Sequence, residues 1–165
     1  IQPHFQLTNM PALETVERLV RRGHYKGPLN LTWIGIGGGF DGPNPNNFME
    51  FIRRAPDGST ITAESVMRNV LPLNVMAMSM GMHVRCGNED TLYGPDGSKI
   101  TSVQQIEQLV RVAKELGREI ATGKEAREIY KIGVQYNSVD ETLAQLGMVP
   151  NREPGRRALP NRYAA

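Results

Sequence analysis

The chain has 165 residues, of which 39% are hydrophobic, so it is long enough for one globular domain with a buried core. Its formal net charge of +2 does not indicate nucleic-acid binding, and no apolar run approaches the ~20 residues that span a bilayer. The single cysteine, Cys86, excludes an intrachain disulfide. Because the first residues contain no charged leader and no apolar signal segment, we expect a cytoplasmic protein.

Predicted strands and helices alternate along most of the sequence. The first predicted helix has Leu13, Val16, Leu19 and Val20 at helical spacing and Gly23 as its stop. The predicted strands are residues 3–8, 29–37, 59–65 and 82–87, and the helices that follow them are residues 10–24, 44–58, 71–81 and 101–117. Two shorter helices are expected at 124–133 and 138–147, before a tail rich in proline and arginine.

Four successive strand–helix units with mostly apolar strands indicate an α/β fold, in which helices cover a parallel sheet. Doubly wound sheets and (β/α)8 barrels share this pattern, and periodicity alone does not separate them. Both folds place their sites at the carboxyl ends of the strands. If the fold is a barrel, four units are half of the eight that close it, in a fold of about 250 residues.

The stretch "HVRCGNEDT", residues 83–91, places one arginine and two acids at the end of the fourth predicted strand. Asp90 reaches the same side as Arg85 only if the chain turns after Gly87. A guanidinium within reach of Glu89 and Asp90 favours their charged forms. One carboxylate could then bind a cation and the other act as a base, although a plain salt bridge at a strand end explains the same residues.

The run "GIGGGFDGPNP" supplies a second pattern, since Gly37, Gly39 and Gly42 match G-x-G-x-x-G after a strand. Glu64 lies at roughly the distance of a ribose-binding acid in a dinucleotide-binding oxidoreductase. However, Pro43 and Pro45 delay the helix, so no helix N-terminus would face a pyrophosphate directly. The dinucleotide site is therefore kept only as a weak alternative.

The stretches "LPLNVMAMSMGMHVRCGNEDTLY" and "LVRVAKELGREIATGKEAREI" closely resemble the C-terminal part of the β-keto acid cleavage enzymes. The resemblance runs from about Phe5 to Ile132, and its most specific element is the V-R-x-G-x-E-D strand end. It implies a TIM barrel with a divalent metal, usually zinc. It also implies cleavage of a 3-keto acid with acetyl-CoA as co-substrate, which releases acetoacetate and a new acyl-CoA.

The resemblance also implies roles for the three charged residues of the strand end. Glu89 matches the family's carboxylate metal ligand, Arg85 the arginine that polarises the catalytic acid, and Asp90 the general base. The family's other metal ligands, a His-x-His pair, come from the first half of its barrel, which this sequence does not resemble. A complementary N-terminal half is therefore an expected partner, together with a homo-oligomeric state. Neither a nucleic-acid partner nor a membrane is expected.

The sequence departs from the family at positions expected to contact substrate. His4 and Gln6 stand where relatives often have acids, and Glu64 precedes a segment that replaces a glycine-rich loop of the relatives. We expect these three residues to contribute to substrate binding. The domain prediction is a half-barrel over residues 1–132, followed by a tail over 133–165. A non-catalytic half-barrel subunit that serves as a scaffold is the main alternative function.

Overall fold

The computed structural model describes residues 1–36, 42–67 and 69–149 of the chain. Four strands and six helices occur within these ranges. The strands are β1 (Phe5–Leu7), β2 (Asn30–Ile36), β3 (Thr60–Val66) and β4 (His83–Val84). The helices are α1 (Met10–Arg21), α2 (Pro45–Arg54), α3 (Leu71–Ser79), α4 (Ser102–Glu115), α5 (Gly123–Ile129) and α6 (Val139–Gln145).

The four strands form one parallel sheet in the order β1-β2-β3-β4. Each strand is joined to the next by a helix, which is the usual crossover between neighbouring parallel strands. The α/β class predicted from the sequence is therefore confirmed. The sequential strand order is the one that a segment of a (β/α)8 barrel would have, while closure of a barrel needs strands that the described residues do not include.

Residue alternation along the strands separates an apolar face of the sheet from a polar one. On the helix-covered face, Leu31 and Trp33 of β2 are fully buried, and the Trp33 ring lies 5.1 Å from that of Phe51 in α2. On the opposite face, Thr32 pairs with Thr62, and Glu64 lies two residues further along β3. The hydrophobic core thus holds one face in place, and the polar face is the one available for chemistry.

The ends of the first helix follow the local signals in the sequence. The Asn9 side chain accepts a hydrogen bond from the Ala12 amide at 3.0 Å and caps the start of α1. Gly23 adopts a left-handed φ of 77° just after the helix, a conformation that favours glycine. The helix stop expected at Gly23 is therefore where the helix ends.

The last helix, α6, packs against α1 and contributes to the same core as the strands. Leu143 and Leu146 are 2% and 0% exposed, and the Thr142 hydroxyl donates to the Lys26 carbonyl oxygen at 2.6 Å. Residues of the segment that the sequence assigned to a tail thus belong to the packed core at least as far as α6. The domain boundary at residue 132 stays a prediction, and residues 150–165 lie outside the described part.

The glycine run after β2 lies only partly within the described residues. Gly37 and Gly39 of the glycine run and Arg68 after β3 lie outside the described residues, while Asn44 caps α2 and Pro45 begins it. None of the helices in the described ranges is long and apolar enough to cross a membrane.

Candidate functional site

A turn after β4 carries the charged residues that the sequence singled out. The Arg85 amide donates to the Ala63 carbonyl oxygen at 2.9 Å, so the chain stays beside β3 for one residue beyond β4. The amides of Asp90 and Thr91 then both donate to the carbonyl oxygen of Gly87, at 3.0 and 3.2 Å. This turn brings Asp90 back to Arg85, as the sequence required for the two residues to meet.

The Arg85 guanidinium is the centre of a cluster of three carboxylates, which we call the acid cluster (Glu64, Glu89 and Asp90 around Arg85). Nη1 lies 3.1 Å from Glu64 Oε2, and Nη2 lies 2.8 Å from Glu89 Oε2 and 3.4 Å from Asp90 Oδ1. The side chains of Glu64 and Asp90 are each 2% exposed, whereas that of Glu89 is 84% exposed. One acid of the cluster thus faces solvent and two are buried.

The acid cluster contains more negative than positive charge, and the imbalance affects Glu64. Burial raises the pKa of Glu64 from its usual 4.5 to about 7, and the neighbouring carboxylate of Asp90 adds to the effect. The nearby Arg85 charge opposes it only in part. At neutral pH the neutral and the charged forms of the Glu64 carboxyl are therefore both populated.

Neighbouring residues that the sequence did not single out fix the backbone around the acid cluster. The Met67 amide, at the end of β3, donates to the Asp90 carbonyl oxygen at 2.7 Å. Asn74 of α3 is fully buried and its Nδ2 donates to the Arg85 carbonyl oxygen at 2.9 Å. Gln105 of α4 donates to the Thr91 carbonyl oxygen at 3.1 Å. The position of a single asparagine within the apolar run "LPLNVMAMS" was the sequence signal that could have identified Asn74 as a buried polar residue.

His4 and Gln6, the other predicted site residues, are not brought into the acid cluster. His4 lies just before β1, and its Nε2 is 2.8 Å from the Thr32 hydroxyl oxygen. Its ring lies 5.7 Å from that of Tyr130, and burial lowers the pKa of His4. Gln6 is exposed within β1. Both residues therefore lie at the first strand, whereas the acid cluster is formed by β3 and by the residues that follow β4.

Tyr130, which directly follows α5, links the amino ends of several strands. Its carbonyl oxygen accepts from Gln2 Nε2 at 2.6 Å and from Asn30 Nδ2 at 3.2 Å. Its ring lies 5.3 Å from that of His83, and its hydroxyl is 3.3 Å from the Thr62 hydroxyl. These contacts cover the polar face of the sheet at the end where the strands begin, away from the turn at Gly87.

The acid cluster offers part of a metal site. Glu89 presents an exposed carboxylate, which is a suitable ligand for a divalent ion. Within residues 1–36, 42–67 and 69–149, no three histidine, cysteine, aspartate or glutamate side chains are grouped so that they could hold a metal ion. The chemistry of the donor therefore fits, and further ligands would have to come from another segment.

The geometry also bears on the dinucleotide alternative. Glu64 is the acid that this alternative would place on a ribose, yet its side chain is buried against Arg85 and Asp90. An acid in this position has no exposed oxygen with which to receive a ribose hydroxyl. Gly37 and Gly39, the other half of the pattern, lie outside the described residues.

Comparison with known proteins gives relatives that are named as a cleavage enzyme or as a transferase. The chain is 34% identical to the 3-keto-5-aminohexanoate cleavage enzyme of Acetoanaerobium sticklandii over 134 residues, which are 80% of this chain and 49% of that protein. The enzyme of the same name from Fusobacterium nucleatum is 31% identical over 133 residues, 80% of this chain and 48% of that protein. The 3-dehydrocarnitine:acetyl-CoA trimethylamine transferase of Rhizobium meliloti is 28% identical over 80% of this chain and 44% of its own length.

The matched region has the same extent in each of these comparisons. The chain spans about half the length of the curated relatives it matches. The model of the beta-keto acid cleavage enzyme family matches residues 1–132, which include β1 to β4, the acid cluster and Tyr130. The chain therefore belongs to the beta-keto acid cleavage enzyme family.

Proposed function

We propose that this chain is the C-terminal half of a (β/α)8 barrel that cleaves a 3-keto acid with acetyl-CoA, giving acetoacetate and a new acyl-CoA. The observation that carries the proposal is the acid cluster at the carboxyl ends of β3 and β4, where barrel enzymes hold their sites. Membership of the beta-keto acid cleavage enzyme family supports the same reaction. Acetyl-CoA appears in the name of the relative from Rhizobium meliloti.

Asp90 is the general base of the proposed reaction. Its Oδ1 lies 3.4 Å from Arg85 Nη2, while its Oδ2 has no hydrogen-bond partner in the described part of the chain. That oxygen, which is buried in this chain, is the proposed acceptor of a proton from the carbon between the keto and carboxyl groups of the substrate. Arg85 orients the carboxylate and provides positive charge beside it while the proton moves.

Glu89 is the ligand that this chain would contribute to a divalent metal, for which zinc is the proposed ion. When bound, such an ion supplies Lewis-acid polarisation of the substrate's keto oxygen and offsets the negative charge that develops there. Arg85 holds Glu89 at 2.8 Å and so sets the position from which that carboxylate reaches outward. Asp90 is adjacent in sequence but buried, which separates the base from the ligand.

The partner in this proposal is a segment that supplies the other four strands. A four-stranded parallel sheet has two edges with unpaired backbone groups, here on β1 and β4, and barrels abolish such edges by closure. A complementary N-terminal half would pair with both edges and bring further metal ligands opposite Glu89. A second copy of this chain could cover the edges but would not add the His-x-His pair that the family resemblance implies.

Two matched variants test the proposal on the assembly of this chain with a complementary half. Asp90→Asn keeps the shape of the side chain but removes the base, so turnover should fall by about 100-fold or more while zinc remains bound. Glu89→Gln should lose zinc, measured by elemental analysis of the purified assembly. Equal loss of zinc in both variants, or normal turnover with Asp90→Asn, would contradict the assigned roles. An assembly that binds no zinc and cleaves no keto acid would instead support the scaffold alternative.

A further inference from the structure

Glu64 differs from the other two acids because it belongs to the sheet. Thr62 pairs with His83 and Ala63 with Val84, so Glu64 lies beside Arg85 across the two neighbouring strands and on the same face. Its side chain is 2% exposed and reaches Arg85 Nη1 at 3.1 Å. Glu89 and Asp90, in contrast, are carried by the turn after β4 and approach the other end of the guanidinium.

The planar Arg85 guanidinium is contacted by acids at both of its terminal nitrogens. Arg85 has its Nη1 beside Glu64, and its Nη2 is shared between Glu89 and Asp90. Because the guanidinium is a rigid fork, a partner that holds Nη1 also fixes the direction in which Nη2 points. Only Glu64 contacts Nη1 among the acids of the acid cluster.

The backbone of the acid cluster does not depend on Glu64. Asn74 holds the Arg85 carbonyl oxygen, and the Met67 amide holds that of Asp90. The main chain of both residues is therefore fixed by neighbours, whereas the long side chain of Arg85, 31% exposed, keeps rotational freedom that only its ion pairs remove. The other acids that contact this side chain are Glu89, which is exposed, and Asp90, whose Oδ1 lies 3.4 Å from Nη2.

We propose that Glu64 is a positioning residue that fixes the Arg85 guanidinium between β3 and the turn, so that Nη2 faces Asp90 and Glu89. Glu64 acts through Arg85 and does not touch the substrate. Its effect on catalysis rests on the proposed function, whereas its effect on Arg85 does not. Burial of an acid next to Asp90 is costly to stability, which the raised pKa of Glu64 also reflects, so a stabilising role does not account for its presence.

Two substitutions separate the contribution of the Glu64 charge from that of its side-chain oxygen atoms. Glu64→Met keeps a similar length and removes both acceptor oxygens, whereas Glu64→Gln keeps one neutral acceptor and is the conservative replacement. Glu50→Gln is the control, because Glu50 makes a two-pronged ion pair with Arg53 on the exposed surface of α2, at 2.8 and 2.6 Å. If Glu64 fixes Arg85, the effect should be largest with Met and intermediate with Gln. It should be absent in the control.

The first measurement needs no turnover. Nitrogen-15 NMR of the arginine side chains of this chain, labelled within its assembly with an unlabelled complementary half, should show separate, slowly exchanging Nη signals for Arg85 at about pH 8, where Glu64 is charged. In Glu64→Met these signals should average, and in Glu64→Gln they should broaden. Arg85 signals that stay separate in both variants would overturn the proposal, whether or not the assembly turns over a substrate.

The second measurement uses the assembly of this chain with a complementary half. Loss of orientation should lower kcat by about 10- to 100-fold in Glu64→Met with little change in KM, with partial recovery in Glu64→Gln. A structural role alone would instead lower Tm and leave kcat per folded molecule unchanged, which would contradict the proposal. If no turnover occurs with the unsubstituted chain, the proposed function fails, and the NMR signals of Arg85 still decide the role of Glu64.

Discussion

The pH dependence of stability should reveal the buried carboxyl of Glu64. Burial and the neighbouring Asp90 raise its pKa from 4.5 to about 7, so the folded chain binds more protons than the unfolded chain between these values. Stability should therefore fall as pH rises through this window. Glu64→Gln removes the titrating group with little change in shape, so this contribution to the pH dependence should disappear in the variant.

The size of the effect follows from the two pKa values. One pKa unit corresponds to about 1.4 kcal/mol, so the full difference is about 3 kcal/mol above pH 7. Between about pH 5 and about pH 8 the contribution of Glu64 should change by about 2–3 kcal/mol, since part of the loss has already occurred at the lower pH. The side chain is only 2% exposed, so solvent screening is small.

Histidines act in the opposite direction and have to be separated from Glu64. Burial lowers the pKa of His4 and of His83, so their contribution to stability should rise as pH increases through the unfolded value of 6.5. Both are present in the wild-type chain and in Glu64→Gln. The difference in stability between the two proteins therefore isolates Glu64.

Urea unfolding of the assembly with a tryptophan-free complementary half, followed by the fluorescence of Trp33, the single and fully buried tryptophan of this chain, measures this difference. All proteins are compared at one concentration, so that any self-association contributes equally. Glu64→Gln should gain stability over the wild type by about 2–3 kcal/mol more at about pH 8 than at about pH 5. The exposed control Glu50→Gln should show no such trend. Parallel curves for Glu64→Gln and the wild type would refute the reasoning.

Three other predictions concern the core, the substrate and the state of the isolated chain. Leu146→Ala should cost about 2–5 kcal/mol in urea unfolding because the side chain is fully buried, whereas exposed Val134→Ala should change stability by about 0.5 kcal/mol or less; equal effects would contradict the role of α6 in the core. Because His4 and Gln6 are not acids, a panel of keto acids should show no preference for amine-bearing substrates, and a highest kcat/KM for such a substrate would reverse this view. Expressed alone, the chain should aggregate or form a loose dimer without tight zinc binding, and a compact, cooperatively unfolding monomer in sedimentation would contradict the half-barrel.

The sequence predicted the order of strands and helices because hydrophobic spacing and helix caps are local signals. The end of α1 at Gly23 and the turn that returns Asp90 to Arg85 depend on residues close together in the chain. Strand β4 was expected over 82–87 but contains only His83–Val84. The strand ends early because the Arg85 carbonyl oxygen accepts a hydrogen bond from the Asn74 side chain of α3.

Contacts that depend on how elements pack were less accessible from the sequence. Glu64 was predicted to contact substrate, whereas its position beside Arg85 depends on the register between β3 and β4, which no local pattern specifies. The burial of Leu146 likewise depends on the packing of α6 against α1. The roles of Asp90 and Glu89 in catalysis and metal binding stay predictions.

The hydrogen bond from the Met67 amide to the Asp90 carbonyl oxygen makes it possible to measure the motion of the turn after β4. An amide exchanges its hydrogen with solvent only when its hydrogen bond opens. At 2.7 Å this one joins the end of β3 directly to the residue proposed as the base. Exchange of the single Met67 amide therefore measures how often the turn lifts from the sheet. A ligand that binds to the turn should slow the exchange of the Met67 amide, even if the ligand does not react.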